Sequence, residues 1–145
     1  MGTYFQGSAR RGRDHARPLA AVIGFAVMML AAGGAAADGH VSVLLKEALP
    51  EISGKQATLL TVEYPPGGTS SPHYHPGSVF AYVLRGTVVS QLQGEEPVTY
   101  HEGQSWYESP KTPHIVSRNA STTEPATLLV LLISEKDESL VVPIK

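Results

Sequence analysis

The sequence has no cysteine among its 145 residues. This absence excludes disulfide bonds, thiolate catalysis and zinc sites built from cysteine. Basic residues are also few outside the N-terminal segment. Four of the eleven Lys and Arg residues and one of the thirteen acids lie in residues 1–37, so residues 38–145 carry seven bases and twelve acids, a formal net charge of −5. With no run of basic residues in that part, binding to nucleic acid or to anionic lipid has little electrostatic support.

The first 37 residues differ in composition from the rest of the chain. Met1–Arg17 carries four arginines, Leu19–Leu30 is an apolar run, and Ala35 and Ala37 are the small residues expected before a bacterial cleavage site. The pattern predicts a secretory signal peptide, cleaved between Ala37 and Asp38, and export to the periplasm or the medium. The alternative is an uncleaved anchor, but the strongly apolar part is shorter than the roughly 20 residues that a spanning helix needs. No stable membrane insertion is expected after cleavage.

After Leu49, no segment of ten residues or more shows helical periodicity. Short alternating or β-branched stretches are separated instead by Gly and Pro. The predicted strands are Gln56–Tyr64, Val79–Gly86, Thr87–Gly94, Val98–His101, Ser105–Glu108, His114–Asn119, Thr127–Ile133 and Ser139–Ile144. Val41–Leu49 fits either a strand or a short helix, and a hairpin is predicted to turn at Arg85-Gly86. The series predicts one all-β sandwich or barrel over residues 38–145.

Two of the six histidines, His73 and His75, are one residue apart in the segment SPHYHPG. In a strand, residues at this spacing point to the same face. Burying two imidazoles side by side is costly unless each has a partner, and a shared metal ion supplies one. From the spacing alone, a metal site and a structural pair are about equally supported.

Two stretches of the sequence resemble the two motifs of the cupin superfamily. In the first, Gly67 precedes the SPHYHPG segment and Gly86 closes the apolar run that follows it. In the second, Gly103 is followed eleven residues later by His114, with prolines in the segment between them. The resemblance extends over about residues 59–133. It implies the cupin fold, a small double-stranded β-helix or jelly-roll barrel, which agrees with the number of predicted strands.

The resemblance also implies a metal site. In cupins, two histidines and a glutamate of the first motif and one histidine of the second bind a metal ion. His73, His75 and His114 match three of these four positions. The implied ion is one divalent transition metal, and Fe, Mn, Ni, Zn and Cu all accept imidazole-rich sites.

The chain departs from the first motif at the fourth metal position. The resemblance places the motif's glutamate at position 79, where the chain has Val79. Glu108 and His114 flank the loop SPKTP, and residues opposed across an antiparallel pair of strands share one face. If the loop joins such a pair, Glu108 points into the barrel with His114 and supplies the missing oxygen ligand. The alternatives are that Glu108 is exposed and pairs with Lys111, or that Gln91 or water completes the site.

Two functions follow from this resemblance. Three imidazoles and at most one carboxylate leave open positions on an ion, where dioxygen or an oxygen-bearing substrate can bind. The first hypothesis is therefore a metal-dependent enzyme of dioxygenase, isomerase or lyase type that acts on a small molecule in the barrel, with Trp106 lining the pocket. The second is a non-catalytic small-ligand-binding or sensing cupin, with or without metal. Val79 favours the second hypothesis, and the presence of all three histidines opposes it.

The segment Val41–Leu45 predicts an oligomer. It is apolar and has no obvious partner within the domain. Since an open sheet edge needs to be covered, and symmetric pairing is a common way to cover it, we expect a homodimer that involves this segment.

Overall fold

The computed structural model describes residues 38–144. Their regular elements are all β-strands. These are β1 (His40–Ala48), β2 (Lys55–Tyr64), β3 (Thr69–Ser70), β4 (His73–Tyr74), β5 (Ser78–Arg85), β6 (Thr87–Leu92), β7 (Val98–His101), β8 (Ser105–Glu108), β9 (Pro113–Asn119), β10 (Ala126–Glu135) and β11 (Val142–Pro143). Within residues 38–144, no helix is long and apolar enough to span a membrane. The predicted signal peptide and its cleavage after Ala37 fall on residues 1–37, outside the described part.

The strands form two antiparallel sheets. One has the order β1-β2-β10-β5-β8, and the other has the order β11-β4-β9-β6-β7, with β3 also paired to β9. The chain crosses repeatedly from one sheet to the other, as it does in a jelly roll. The predicted all-β, double-sheeted barrel is confirmed.

The central strand β10 shows why this sequence forms a sheet with one buried face. Every second residue from Ala126 to Ser134 is buried, and the residues between them are only partly buried. The strand pairs with β2 along its whole length, and the buried residues of the two strands face the same interior. Burying one such Leu or Val side chain contributes about 1.5–3 kcal/mol, so this alternation fixes which face turns inward.

The predicted hairpin at Arg85-Gly86 is wrong. β5 pairs with β10 and β8, whereas β6 pairs with β9 and β7, so the chain passes from one sheet to the other at Gly86. Gly86 has a φ of 79°, and a Cβ atom there would lie 2.7 Å from the carbonyl oxygen of Pro125. The glycine permits this close crossing, and two short strands joined by a glycine look the same in sequence whether or not they pair.

The two ends of the described chain also form strands, of which the first has the predicted length and the second is shorter than predicted. The segment that fitted strand or helix is β1, which pairs with β2 and has a bulge at Leu44. The predicted strand Ser139–Ile144 is reduced to the two residues of β11, which pair with β4. β4 lies between Pro72 and Pro76, and proline has no N–H to donate to a ladder, so beyond β4 Pro72 contributes only its carbonyl group, which accepts from the N–H of Ile144 at 3.2 Å.

Candidate metal centre

Three short stretches bring the predicted metal ligands together. His73 lies on β4 directly opposite His114 on β9, and His75 follows β4 by one residue. One ring nitrogen from each histidine lies within 4.8 Å of the other two. His73 and His114 are buried and His75 is half-buried, so the cluster is largely withdrawn from solvent.

The hydrogen bonds of the first two rings fix where their lone pairs point. Nδ1 of His73 lies 2.7 Å from the carbonyl oxygen of Ser71, and Nδ1 of His75 lies 2.7 Å from that of Leu140. A carbonyl oxygen only accepts hydrogen bonds, so each Nδ1 carries a hydrogen and each Nε2 of a neutral ring carries a lone pair. These two Nε2 atoms are only 3.2 Å apart. Two lone pairs at this distance can share one cation. Histidines that bind metals commonly have their other ring N–H held by a backbone carbonyl group in this way.

Protonation of His73 would be the other way to relieve this contact, but its surroundings oppose it. Burial lowers the pKa of His73, and the imidazoles of His75 and His114 lower it further, against the opposing effect of the Ser71 carbonyl. The ring is therefore neutral at pH 7 and able to bind a metal.

Glu108, at the end of β8, reaches the same cluster. Its carboxylate is buried, with Oε1 3.2 Å from Nδ1 of His114 and Oε2 3.7 Å from Nε2 of His75. The indole N–H of Trp106 donates to Oε1 at 2.9 Å. Burial raises the pKa of Glu108, but the imidazoles of His114 and His75 and this hydrogen bond outweigh it, so the pKa is lowered overall. The carboxylate is thus ionised at neutral pH.

Two buried polar atoms of the cluster lack a partner among the described residues. They are Oε2 of Glu108 and Nδ1 of His114, which lies near Oε1 but is not aligned for a hydrogen bond with it. The other nitrogen of His114, Nε2, lies 2.8 Å from the hydroxyl of Ser90. Buried polar atoms without partners are costly, and a cation between them would satisfy both. Three imidazoles and a carboxylate make a donor set that suits a divalent transition metal ion.

Glu108 lies near His114 as predicted, but not for the predicted reason. β8 and β9 belong to different sheets, so the loop SPKTP does not join an antiparallel pair. Glu108 is instead directly opposite Val79 in the β5–β8 ladder. Directly opposed residues share a face, with Cβ atoms about 4.5–5.5 Å apart. The carboxylate therefore projects into the barrel one strand away from the position where the cupin motif has its glutamate.

The structure places the other candidate residues away from this role. The described ion pairs of Glu108 are with histidines, and none is with Lys111. The side-chain amide of Gln91 donates to the carbonyl of Glu95 at 2.9 Å, and Gln91 does not line the cavity at the cluster. Trp106 does line the cavity, as predicted, and stacks on Tyr100 with a centroid distance of 4.4 Å.

Sequence reasoning missed the groups that orient the ligands. These are the carbonyl groups of Ser71 and Leu140 and the hydroxyl of Ser90. Carbonyl groups carry no signal of their own in a sequence, and Ser90 and Leu140 lie far along the chain from the rings that they contact. No spacing rule would have found them.

A cavity of about 320 Å³ adjoins the cluster. The three histidines and Glu108 line it on one side, and the hydroxyl-bearing residues Tyr64, Ser70 and Ser117 add to its polar lining. Most of the remaining wall is apolar and comes from the sheet that contains β2, β5, β8 and β10, with Leu60, Val62, Val79, Ala81, Trp106, Leu128, Val130 and Leu132. Asp38 and Val41 line the cavity from the N-terminal end of the described chain. The arrangement places a candidate metal position beside a small apolar chamber, which is the usual composition of a small-molecule site.

Comparison with known proteins identifies relatives by sequence family and by structure. A family model for the cupin domain matches residues 60–132. Among solved structures, the chain is similar to the DMSP lyase DddQ from Ruegeria pomeroyi, at 23% identity and a TM-score of 0.59, over 72% of this chain and 51% of that one. It is similar to the oxalate decarboxylase from Bacillus subtilis, at 17% identity and a TM-score of 0.58, over 76% of this chain and 29% of that one. A cupin domain from Bordetella pertussis matches at 16% identity and a TM-score of 0.54, over 70% of this chain and 99% of that one.

These structural likenesses establish the fold. The chain spans about half of the length of the DMSP lyase and less than a third of that of the oxalate decarboxylase. No curated protein sequence matches the chain significantly. The family model covers half of the chain, including the three histidines and Glu108, and the double-sheeted barrel is that of the structural neighbours. The chain therefore belongs to the cupin family.

Proposed function

We propose that this cupin is a metal-dependent enzyme whose single divalent transition metal ion is bound by His73, His75, His114 and Glu108. The observation that carries the proposal is the pair of Nε2 atoms, 3.2 Å apart, on two rings whose Nδ1 atoms face backbone carbonyl groups, beside a buried carboxylate whose pKa is lowered. Such a donor set suits Fe, Mn, Ni, Zn or Cu. The ion, when bound, would act as a Lewis acid toward an oxygen of a small substrate in the cavity.

The residues of the chain would prepare this site for chemistry. The carbonyl groups of Ser71 and Leu140 hold two rings with their lone pairs toward the ion. The indole of Trp106 holds the carboxylate of Glu108 in the same way. The apolar wall of the cavity limits water, which strengthens electrostatic interactions at the site. Three or four protein ligands leave positions for a substrate, which supports a reaction of dioxygenase, isomerase or lyase type.

Catalysis is favoured over a purely sensing role by the kind of structural neighbour that the chain has. The DMSP lyase and the oxalate decarboxylase are named as enzymes. The alternative is a non-catalytic cupin that binds or senses a small ligand, with or without metal. The observation that favours it is the apolar Val79 where the first cupin motif has a glutamate.

Metal-dependent turnover tests the proposed function. Purified full-length chain is stripped with chelator, reloaded with one divalent metal at a time, and assayed for dioxygen uptake and for product formation on a panel of small hydroxylated and carbonyl compounds. We expect turnover with one or two of the metals and none in the stripped protein. Ligand binding by the metal-loaded protein without turnover on any compound would contradict the enzyme and favour the sensor.

Export to the periplasm or the medium is also proposed, on the basic, apolar and small-residue pattern of residues 1–37. N-terminal sequencing of the protein recovered from a Gram-negative periplasm is expected to begin at Asp38. A mature chain that retains Leu19–Leu30 would contradict a soluble exported protein.

A homodimer through β1 is proposed from the exposure of that strand. β1 is the edge of its sheet, and its free side pairs with no other strand among residues 38–144. Val41, Val43, Leu44 and Leu45 are each half-exposed, between 50% and 57%. A long apolar edge favours pairing with another chain, and two copies of β1 can pair about a twofold axis.

Light scattering at micromolar concentration is expected to give the mass of a dimer. Leu45→Lys should shift the mass toward that of a monomer, because lysine on an edge strand opposes pairing. Val98→Lys is the matched control, since Val98 is an exposed apolar residue on β7, in the other sheet. A monomeric wild-type protein, or equal effects of the two variants, would refute the dimer through β1.

A further inference from the structure

The charges around the cavity limit what it can hold. Apart from the three histidines, the ionisable residues that line it are Asp38, Tyr64 and Glu108, and none of them carries a positive charge. Among the described residues of the lining there is no lysine and no arginine. The wall opposite the metal cluster therefore offers no cation to pair with an anionic group of a ligand.

The lack of a lysine or arginine in the described lining limits the charge of the ligand, because burying an unpaired charge is costly. A carboxylate moved from water into an apolar environment loses several kcal/mol of solvation unless a partner restores it. One divalent ion beside the carboxylate of Glu108 leaves about one unit of positive charge, which one anionic oxygen of a ligand can neutralise. A second anionic group on the ligand would meet no cation there, only apolar side chains such as Leu60, Leu128 and Val130 and the neutral hydroxyl groups of Tyr64, Ser70 and Ser117.

The size of the cavity sets a second limit. Its volume of about 320 Å³ is at the lower end of ligand pockets, which run from about 300 to 1,000 Å³. An apolar cavity of about 150 Å³ accommodates benzene. The chamber therefore accommodates one substituted ring or a branched chain of similar bulk.

From these limits, and resting on the metal site of the proposed function, we infer that the substrate is a compact molecule with an apolar body, about the size of one substituted ring. It presents a single oxygen donor to the metal and carries no second anionic group. Dicarboxylates are excluded by the same argument.

A matched pair of ligands tests this inference. 4-tert-Butylphenol and 4-hydroxybenzenesulfonate share the phenol that can reach the metal, and they differ at the far end of the ring, which is apolar in one and anionic in the other. A sulfonate is a weak metal ligand and has nearly the shape of a tert-butyl group, so both ligands present the phenol to the metal. Calorimetric titration of the metal-loaded protein is expected to show at least about 10-fold tighter binding of 4-tert-butylphenol, since an unpaired buried anion is costly. The inference is overturned if 4-hydroxybenzenesulfonate binds as tightly or more tightly.

Two lysine variants of β1 sharpen the test. Val41 lines the cavity and is half-exposed. Val41→Lys can therefore place an ammonium group at the cavity without removing a fully buried apolar side chain. Val43 is equally exposed, and it lies on the same face of the strand, but it does not line the cavity. We expect Val41→Lys to strengthen binding of 4-hydroxybenzenesulfonate by about 10-fold and Val43→Lys to leave it unchanged, at the usual scale of a close charge pair. Any effect on β1 pairing is common to both variants.

The same titrations in chelated protein separate this inference from the proposed function. Without a metal the lining has no fixed cation at all, so the preference for 4-tert-butylphenol should persist. A protein that binds no metal but keeps this preference would contradict the metal enzyme and support the apolar substrate. A protein that binds metal but prefers the anion would support the metal site and overturn the present inference.

Discussion

Replacing His73 by alanine is expected to reduce the affinity for the divalent metal by more than the roughly 10–100-fold typical of losing a group that only orients a ligand. His73 is the ring whose Nε2 lies 3.2 Å from that of His75, and it is opposed to His114 across the β4–β9 pair. A metal that binds only the native state stabilises it by about 2.7 kcal/mol at 100 times its dissociation constant. For a domain of this size, that loss lowers the thermal midpoint by on the order of 10 °C.

Competition with a chromophoric chelator measures the affinity, and thermal unfolding with and without metal measures the stabilisation. His101→Ala is the matched control, because His101 is an exposed histidine on β7 whose Nδ1 contacts the hydroxyl of Thr87. The control should bind metal as the wild type does. Equal metal affinity and equal metal-dependent melting of His73→Ala and wild type would contradict the assignment.

Glu108→Gln is expected to weaken metal binding by at least about 10-fold. The substitution keeps the size of the side chain and one carbonyl oxygen, but it removes the buried negative charge that lies 3.2 Å from His114 and 3.7 Å from His75. Val79→Glu in the same background should restore binding. Position 79 lies directly opposite Glu108 on the neighbouring strand, so a glutamate there returns a carboxylate to the same interior face.

The control for this pair of variants is Glu63→Gln, since Glu63 is an exposed acid on β2 that does not line the cavity. It should leave the metal affinity unchanged. If Glu108→Gln binds metal as tightly as Glu63→Gln does, the carboxylate is not a ligand. The site would then consist of three histidines completed by water.

Local pattern was enough to predict most of the strands and the pairing of His73 with His75. The alternation of β2 and β10 indicates their buried faces, because each strand packs one side against the interior. His73 and His75 could be paired because residues two positions apart in an extended chain point to the same face. The sequence separation between these two and His114 was bridged only by the resemblance to the cupin motifs.

Pairing between distant strands could not be predicted from the same patterns. The link at Gly86 looks like a hairpin turn, yet its two strands belong to different sheets. For the same reason Glu108 was placed near His114 through a strand pair that does not exist. Its true neighbour, Val79, follows from the β5–β8 ladder, and strand order of this kind depends on the packing of the whole barrel.

The orientation of His75 illustrates the same limit. Its Nδ1 hydrogen bond goes to the carbonyl of Leu140, which is 65 residues away in the sequence. That contact exists because β11, just beyond Leu140, pairs with β4 and brings the C-terminal segment against the histidines. Residues that carry no chemistry in their side chains thus set the geometry of the site, and their role is visible only in the folded chain.

The central claim is that His73, His75, His114 and Glu108 bind one divalent transition metal ion. Elemental analysis of the protein as isolated under mild conditions, combined with its melting curve before and after chelation, tests this claim most directly. We expect close to one divalent transition metal ion per chain and a lower thermal midpoint once the ion is removed. A metal-free protein whose melting curve is unchanged by chelator would contradict it.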